Sequence, residues 1–203
     1  MSPKIIIRKA EVSDSSAIAS VHRIAFEGFF LERMGIGFLT AYYDILIGYR
    51  QNIFLIAEDS NGELIGFIAG YLDKSRFYKH LLARCFRIIF PALIAMVRSP
   101  ALFLEVALNF LRVNRLSVTR EVECELASVG VLMGGVGIGS QLLRAFIAEV
   151  KSRHFDCITL TTDYSDNAIA KIFYEKHGFT MVGIEVRTTG RVLAKYSLDL
   201  TCG

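Results

Sequence analysis

A run of glycines near the middle of the chain is the feature best suited to binding a ligand. The run consists of Gly134, Gly135, Val136, Gly137, Ile138 and Gly139. It stands between a strand-like segment at 121–131 and an amphipathic helical pattern at about 140–150. Glycines let the backbone turn so that successive N–H groups point to one spot, and the amino end of the helix adds positive potential. The run therefore predicts a phosphate-binding site, and a pyrophosphate is the ligand that fits it best.

Other proteins also place a glycine-rich loop between a strand and a helix. A dinucleotide-binding loop normally follows the first strand and is matched by an acidic residue about 20 residues later. Here the loop lies in mid-chain and Asp163 comes too late. The Gly-Lys-Ser/Thr of a nucleoside-triphosphate loop is absent. A tight turn without a ligand is disfavoured, since glycines are costly unless close backbone approach is needed.

Three carboxylates precede the loop at alternate positions, Glu121, Glu123 and Glu125. In a strand such residues point to one face of the sheet. A carboxylate beside a substrate can accept a proton from an ammonium group, directly or through water. Glu125 is the preferred base because it is nearest to the loop. The alternative is that these side chains are solvated, or bind a cationic substrate without proton transfer.

Composition disfavours several classes of function. The net charge of +3 gives little support for nucleic-acid binding. The four cysteines and four histidines are scattered, without a Cys-x-x-Cys pair or metal-ligand spacing, so no metal site is expected. No apolar signal-peptide core is present near residue 1, and we expect a reduced, cytoplasmic protein.

The remaining patterns predict the elements that position the loop and the carboxylates. Their order is typical of an α/β fold with a mixed sheet and helices on both faces, in a single domain over 1–203. The hairpin is expected to turn tightly at Asn61-Gly62. We predict strands at 4–8, 53–59, 63–72, 121–131, 156–162, 179–186 and 191–200, and helices after Ser13, at about 39–46, after the loop and at 167–177.

Residues 73–115 are predicted to form an inserted pair of apolar helices. The pieces at 79–98 and 101–112 are separated by Ser99-Pro100. Neither reaches the ~20 apolar residues needed to span a bilayer. The pair could cap a cleft, form a homodimer interface, or lie on an anionic membrane as a peripheral contact.

Two segments resemble the signature regions of the GNAT superfamily of acyl-CoA-dependent N-acyltransferases. These are 128–143 (SVGVLMGGVGIGSQLL) and 167–179 (NAIAKIFYEKHGF), and the hairpin at 54–71 resembles the family's second and third strands. The resemblance, which covers most of the chain apart from 73–115, implies a GNAT-type acyltransferase fold and acetyl-CoA as co-substrate. It also implies that the loop amides hold the CoA pyrophosphate and that the strand edge binds the pantetheine arm, here at Ala127, Val129 and Val131.

The chain departs from the family pattern at the loop. Gly134 stands where the family usually has Arg or Gln, and the customary proline after the strand is missing. One side-chain contact is lost, whereas the backbone donors remain. We therefore expect CoA binding to be retained.

The resemblance also assigns Asn167 and Tyr174 to the thioester end of the cofactor. A phenol with a pKa near 10 is protonated at neutral pH and can donate to a thiolate whose pKa is ~8.5, so Tyr174 is the candidate general acid. The alternatives are a helix N-cap for Asn167 and a core position for Tyr174.

These features together predict an N-acetyltransferase that modifies a primary amine of a small molecule by direct attack. Arginines beside aromatics in the expected acceptor cleft suit an anionic acceptor, such as a nucleotide- or lipid-linked amino sugar. The alternative is a catalytically inactive CoA-binding or membrane-associated regulatory module. The cleft residues are Phe26, Phe29, Phe30, Arg33, Tyr42, Tyr43, Arg187 and Arg191.

Overall fold

A computed structural model describes residues 5–84, 86–88, 91, 124–165, 167–186 and 190–201. Most of the predicted insert at 73–115 lies outside these residues, and so do Glu121, Glu123 and Arg187. The proposals for these positions therefore remain predictions.

The described strands form one mixed seven-stranded sheet. Its spatial order is β1-β2-β3-β4-β5-β7-β6, and every neighbouring pair is antiparallel except β4 and β5. The predicted mixed sheet is thus confirmed. The strands are β1 Ile6–Lys9, β2 Asn52–Glu58, β3 Leu64–Tyr71, β4 Cys124–Val131, β5 Cys157–Asp163, β6 Thr180–Val186 and β7 Val192–Asp199.

Helices cover both faces of the sheet, as predicted. One hydrophobic core joins α5 and α6 to the sheet, and the other joins α1, α3 and α4 to the opposite face. None of the helices in the described part of the chain is both long and apolar enough to cross a bilayer. The helices are α1 Ser15–Ala25, α2 Phe30–Arg33, α3 Ile36–Ile47, α4 Lys74–Ala83, α5 Ile138–Ser152 and α6 Ala168–Lys176.

Two local predictions differ from the structure. Ser13 does not cap α1, because residues 12–14 form a 3-10 turn and Asp14 occupies the N-cap position. The β2–β3 turn is not a two-residue primed turn, which would need positive φ at both central residues. Only Gly62 has positive φ (81°), while the Asp59 carboxylate accepts hydrogen bonds from the backbone N–H groups of Asn61 and Glu63. An aspartate before the turn thus favours a longer loop.

Close packing of α5 against the sheet depends on Gly70. A Cβ atom at this position would lie 2.6 Å from the carbonyl oxygen of Glu125 and 2.6 Å from Cζ of Phe146. We expect Gly70→Ala to lower the free energy of unfolding by about 1–3 kcal/mol, as overpacking of a core does. Urea denaturation followed by circular dichroism measures it. The control is Gly183→Ala in β6, where an added Cβ meets nothing within 4 Å. Equal stability of the two variants would contradict the packing argument.

A buried histidine links α1 to α3. His22 is 2% exposed, and its Nδ1 lies 2.6 Å from the hydroxyl of Tyr43. Its Nε2 is buried and has no hydrogen-bond partner among the described residues. Desolvation lowers the pKa of His22 from the ordinary value of 6.5 to about 4, because burial disfavours the imidazolium.

This shift predicts a loss of stability in acid. The unfolded chain protonates His22 at a higher pH than the folded protein does, so acidification from about pH 6.5 towards pH 4 favours unfolding. The loss reaches about 3 kcal/mol at most. We expect His22→Phe to lose less stability than the wild type when urea denaturation is repeated at pH 7.5 and at pH 4.5. His154→Asn, at an exposed position, should behave like the wild type. Equal losses in all three proteins would refute the assignment.

Candidate active site

The parallel strands β4 and β5 separate soon after they meet. Among the described residues they are paired only at Cys124 with Ile158 and at Glu125 with Thr159. On their other sides both strands remain paired, β4 with β3 up to Val131 and β5 with β7 up to Asp163. Within the described residues, the edge of β4 that faces β5 is therefore without a strand partner beyond Glu125. Free backbone N–H and C=O groups along such an edge can bind an extended ligand.

A β-bulge interrupts β4 at Ala127. Ala69 pairs with Ser128 and Gly70 with Leu126, so Ala127 is an extra residue in the ladder. A bulge of one residue exchanges the faces of the residues that follow it. The side chains of Val129 and Val131 accordingly pack with the core under α5. Of the predicted pantetheine-binding residues, these two can offer only backbone groups to a ligand.

The glycine loop joins β4 to α5 and is exposed from Leu132 to Gly137. Gly135 and Gly137 have φ values of 81° and 85°, which favour glycine. Gly137 is the N-cap of α5 and has no side chain to bind the first-turn amides. The loop therefore has the backbone geometry that the sequence predicts.

The amides at the start of α5 are available to an anion. The first helical hydrogen bond runs from the N–H of Gln141 to the carbonyl of Gly137 at 3.1 Å. No described side chain accepts from the N–H groups of Ile138, Gly139 or Ser140, and the first turn holds no acidic residue. Three oriented N–H groups at the positive end of a 15-residue helix fit a phosphate.

Tyr174 of α6 lies in the hydrophobic core that α5 and α6 share with the sheet. It is 9% exposed, and its ring packs against Phe173 and Phe179, with centroids 5.3 and 5.6 Å away. No hydrogen bond to its hydroxyl is found among the described residues. Burial raises the pKa of Tyr174 well above its ordinary value of 10, so the phenol stays protonated at neutral pH. A buried position in the core and a role as proton donor are thus compatible for Tyr174.

Asn167 occupies the N-cap position of α6, but its side chain does not cap the helix. Its amide Nδ2 instead donates to Oγ1 of Thr162 at 3.0 Å. This bond connects the start of α6 to the end of β5, where the two parallel strands have already separated. The capping role considered from the sequence is absent, and a role in cofactor binding stays a prediction.

Glu125 lies on the opposite face of β4, among tyrosines. It is half-buried and faces Tyr71 across the β3–β4 ladder, where the Tyr71 hydroxyl donates to its Oε1 at 3.3 Å. Tyr42 of α3 and Tyr78 of α4 are also near Tyr71. Burial is the largest cause that raises the pKa of Tyr71, followed by the charge of Glu125 and then by Tyr78 and Tyr42. Sequence analysis missed Tyr71 and Tyr78. The register that brings Tyr71 opposite Glu125 depends on the bulge at Ala127, and no sequence pattern predicts that bulge.

One of the three arginines of the predicted acceptor cleft already has a carboxylate partner. Arg191 forms an ion pair with Asp163, with Nε and Oδ2 2.7 Å apart, and its guanidinium lies 5.7 Å from the ring centroid of Phe29. Part of its charge is therefore already offset. Tyr43, also expected in the cleft, is instead buried in the core beside His22.

The other features of the described residues give weaker support for a ligand site. A cavity of about 80 Å³ lies between β2 and the last turn of α5, with Lys9, Glu149 and Arg153 in its lining. It is at the opposite end of α5 from the glycine loop, roughly 20 Å away along the helix. No group of three His, Cys, Asp or Glu residues in the described ranges is arranged to hold a metal ion.

Comparisons with known proteins give one family and a set of similar folds. Residues 117–179, which include β4, the loop, α5 and α6, match the model of the acetyltransferase (GNAT) family. A comparison with curated protein sequences gives no match.

Similar solved structures show the same fold. One is an N-acetyltransferase from Staphylococcus aureus Mu50, with 20% identity, a TM-score of 0.62, and coverage of 98% of this chain and 99% of that one. An aminoglycoside 6'-acetyltransferase type Ii has 18% identity, a TM-score of 0.63 and the same coverage. The NatC complex bound to Gag peptide and CoA contains a chain with 16% identity, a TM-score of 0.56, and coverage of 98% and 99%.

Proposed function

We propose that the chain is an acetyltransferase of the GNAT family, whose model matches residues 117–179, and that it transfers an acetyl group from acetyl-CoA to a primary amine of a small molecule. The observation that carries the proposal is the opening between β4 and β5. A free strand edge, an anion site and a half-buried carboxylate adjoin it. Direct acetyl transfer needs three corresponding functions: binding of the extended thioester, neutralisation of its phosphates and acceptance of a proton from the amine.

Each part of the site has one task in the proposed reaction. The backbone of Gly135, Gly137 and the first turn of α5 binds the pyrophosphate. The edge of β4 beyond Ala127 binds the pantetheine arm, and Asn167 contacts it near the end of β5. The acetyl thioester supplies the electrophilic carbonyl. Glu125 accepts a proton from the ammonium group at Oε1 or Oε2, so that the amine can attack.

Tyr174 acts on the leaving group. Its raised pKa keeps the hydroxyl protonated, but it also makes the phenol a weaker acid than a thiol of pKa ~8.5. Complete proton transfer to the thiolate is then uphill. The hydroxyl therefore works first as a hydrogen-bond donor that stabilises the developing thiolate, and this donation is strongest in the transition state.

The acceptor is a primary amine, and two acceptor classes follow from different observations. The predicted class is a nucleotide- or lipid-linked amino sugar, which the arginines of the cleft would bind. The Arg191–Asp163 ion pair leaves less free positive charge for it. An uncharged or cationic amine suits this arrangement better, and the similar structures include an aminoglycoside acetyltransferase.

The experiment that tests the proposal is calorimetric titration of the full chain with acetyl-CoA, CoA and NAD. We expect saturable binding of both CoA species and none of NAD. An acceptor screen for release of CoA thiol would then compare amino sugar nucleotides with uncharged and cationic amines. Absence of CoA binding would refute the proposal. Tight CoA binding without turnover of any amine would favour the alternative of an inactive CoA-binding module.

A further inference from the structure

Three tyrosines from three different elements lie near Glu125, and one of them contacts it. We call Tyr42, Tyr71 and Tyr78 the phenol cluster; they belong to α3, to the end of β3 and to α4. Tyr71 donates directly to Glu125. The rings of Tyr71 and Tyr78 have centroids 6.5 Å apart. Tyr42 is close enough to both Glu125 and Tyr78 for their charges to raise its pKa, after burial as the largest cause.

The rings of the cluster are held by packing. The Tyr71 ring stacks on Phe77 of α4 with centroids 4.5 Å apart and an interplanar angle of 10°. The Tyr42 ring packs edge-on against Tyr43, 5.3 Å away, in the core of α1, α3 and the sheet. Side chains held by helices and a strand keep their hydroxyls in fixed positions. Tyr71 and Tyr42 are therefore held in place beside the carboxylate before a ligand binds.

This set of groups matches the bonding needs of an ammonium ion. A protonated primary amine has three N–H donors and one positive charge. The carboxylate of Glu125 neutralises the charge, and phenol oxygens accept the remaining hydrogen bonds. The aromatic faces add cation–π attraction. A second carboxylate next to the amine would instead be repelled by the negative charge of Glu125.

We propose that the phenol cluster and Glu125 form the receptor for the ammonium group of the acceptor, and that they select primary amines without an adjacent carboxylate. The inference rests on the proposed acetyltransferase function. It assigns a positioning role to Tyr42, Tyr71 and Tyr78, of which none lies in the segment 117–179 that matches the family. The helix α4, which follows β3 directly, thus takes part in acceptor recognition through Tyr78.

Steady-state kinetics of the full chain test the inference. The assay measures release of CoA thiol from acetyl-CoA with two probes, n-pentylamine and norleucine, which differ only by the carboxylate. For the wild type we expect kcat/KM to be at least about tenfold higher for n-pentylamine. Each of Tyr42→Phe, Tyr71→Phe and Tyr78→Phe removes one hydroxyl and keeps the ring. We expect each to raise the KM for n-pentylamine about tenfold, with the KM for acetyl-CoA unchanged.

Tyr49→Phe is the matched control. Its ring packs against Phe77 in the same aromatic layer, but its hydroxyl donates to Gln51 at 3.1 Å. This variant should keep the wild-type KM for n-pentylamine. The inference is overturned if the three cluster variants keep that KM within twofold, or if norleucine is used as well as n-pentylamine. It is also overturned if a protein that binds acetyl-CoA saturably shows no turnover of n-pentylamine. Failure to bind acetyl-CoA would instead overturn the proposed function itself.

Discussion

Replacement of Tyr174 by phenylalanine is expected to lower kcat on the order of 10²-fold, because the leaving thiolate loses its hydrogen-bond donor. The KM for acetyl-CoA should change little, since the donation matters mainly in the transition state. The hydroxyl has no hydrogen-bond partner among the described residues. Its removal therefore breaks no internal bond, and the stability of the variant should equal or slightly exceed that of the wild type.

The control for this prediction is Tyr196→Phe. Tyr196 lies in the same hydrophobic core as Tyr174, but its hydroxyl donates to Oε1 of Glu175 at 2.8 Å. Loss of that bond should lower stability by about 1 kcal/mol while kcat is retained. The two variants thus have opposite signatures in thermal unfolding and in kinetics. If Tyr174→Phe kept full activity, the hydroxyl would have no part in the reaction.

The second large effect is expected at the N-cap of α5. Gly137→Val forces a β-branched side chain into a backbone with φ of 85°, which costs about 1–2 kcal/mol or more in the native loop geometry. A Cβ atom there meets no atom of the described residues within 4 Å, so the cost is conformational and not steric. The loop should relax and turn its amides away from the phosphate position. We expect acetyl-CoA affinity to fall at least about tenfold.

A matched control separates backbone strain from loss of the site. Gly62 in the β2–β3 turn has φ of 81°, and an added Cβ there would likewise meet no atom in the described part of the chain within 4 Å. Gly62→Val should therefore cost similar stability but leave acetyl-CoA affinity unchanged. Calorimetric titration and thermal unfolding of both variants provide the test. Equal affinity for both variants would mean that the loop backbone does not bind the cofactor.

Much of the architecture could be predicted because it depends on local chemistry. The hydrophobic pattern after Gly139 indicates α5, and Gly178 marks the end of α6, where its φ is 87°. The glycine loop was located for the same reason, since its positive φ values must be supplied by particular residues. The β2–β3 hairpin was found, but its turn type was wrong because the Asp59 side chain competes for the turn amides.

The rest depends on contacts between distant segments. The point where β4 leaves β5 is set by the packing of the two halves of the sheet, and a strand pattern does not contain it. The neighbourhood of Glu125 requires the register between β3 and β4 and the position of α4. Tyr71 and Tyr78 are ordinary aromatic residues by periodicity. Only the assembled structure shows that their hydroxyls and one carboxylate converge.

The bulge at Ala127 also determines what kinds of change β4 can accept during evolution. Because side chains alternate strictly, deletion of Ala127 would restore regular pairing and leave residues 128–131 on their present faces, opposite the same residues of β3. Regular pairing with Ala127 retained would instead turn these residues over. Val129 and Val131 would then leave the core, and Val129 would meet Phe67 and Phe26 at the site where even a Cβ on Gly130 lies within 3.0 Å. The bulge can therefore absorb the loss of one residue, and deletions among related chains are expected at Ala127 more often than elsewhere in this strand.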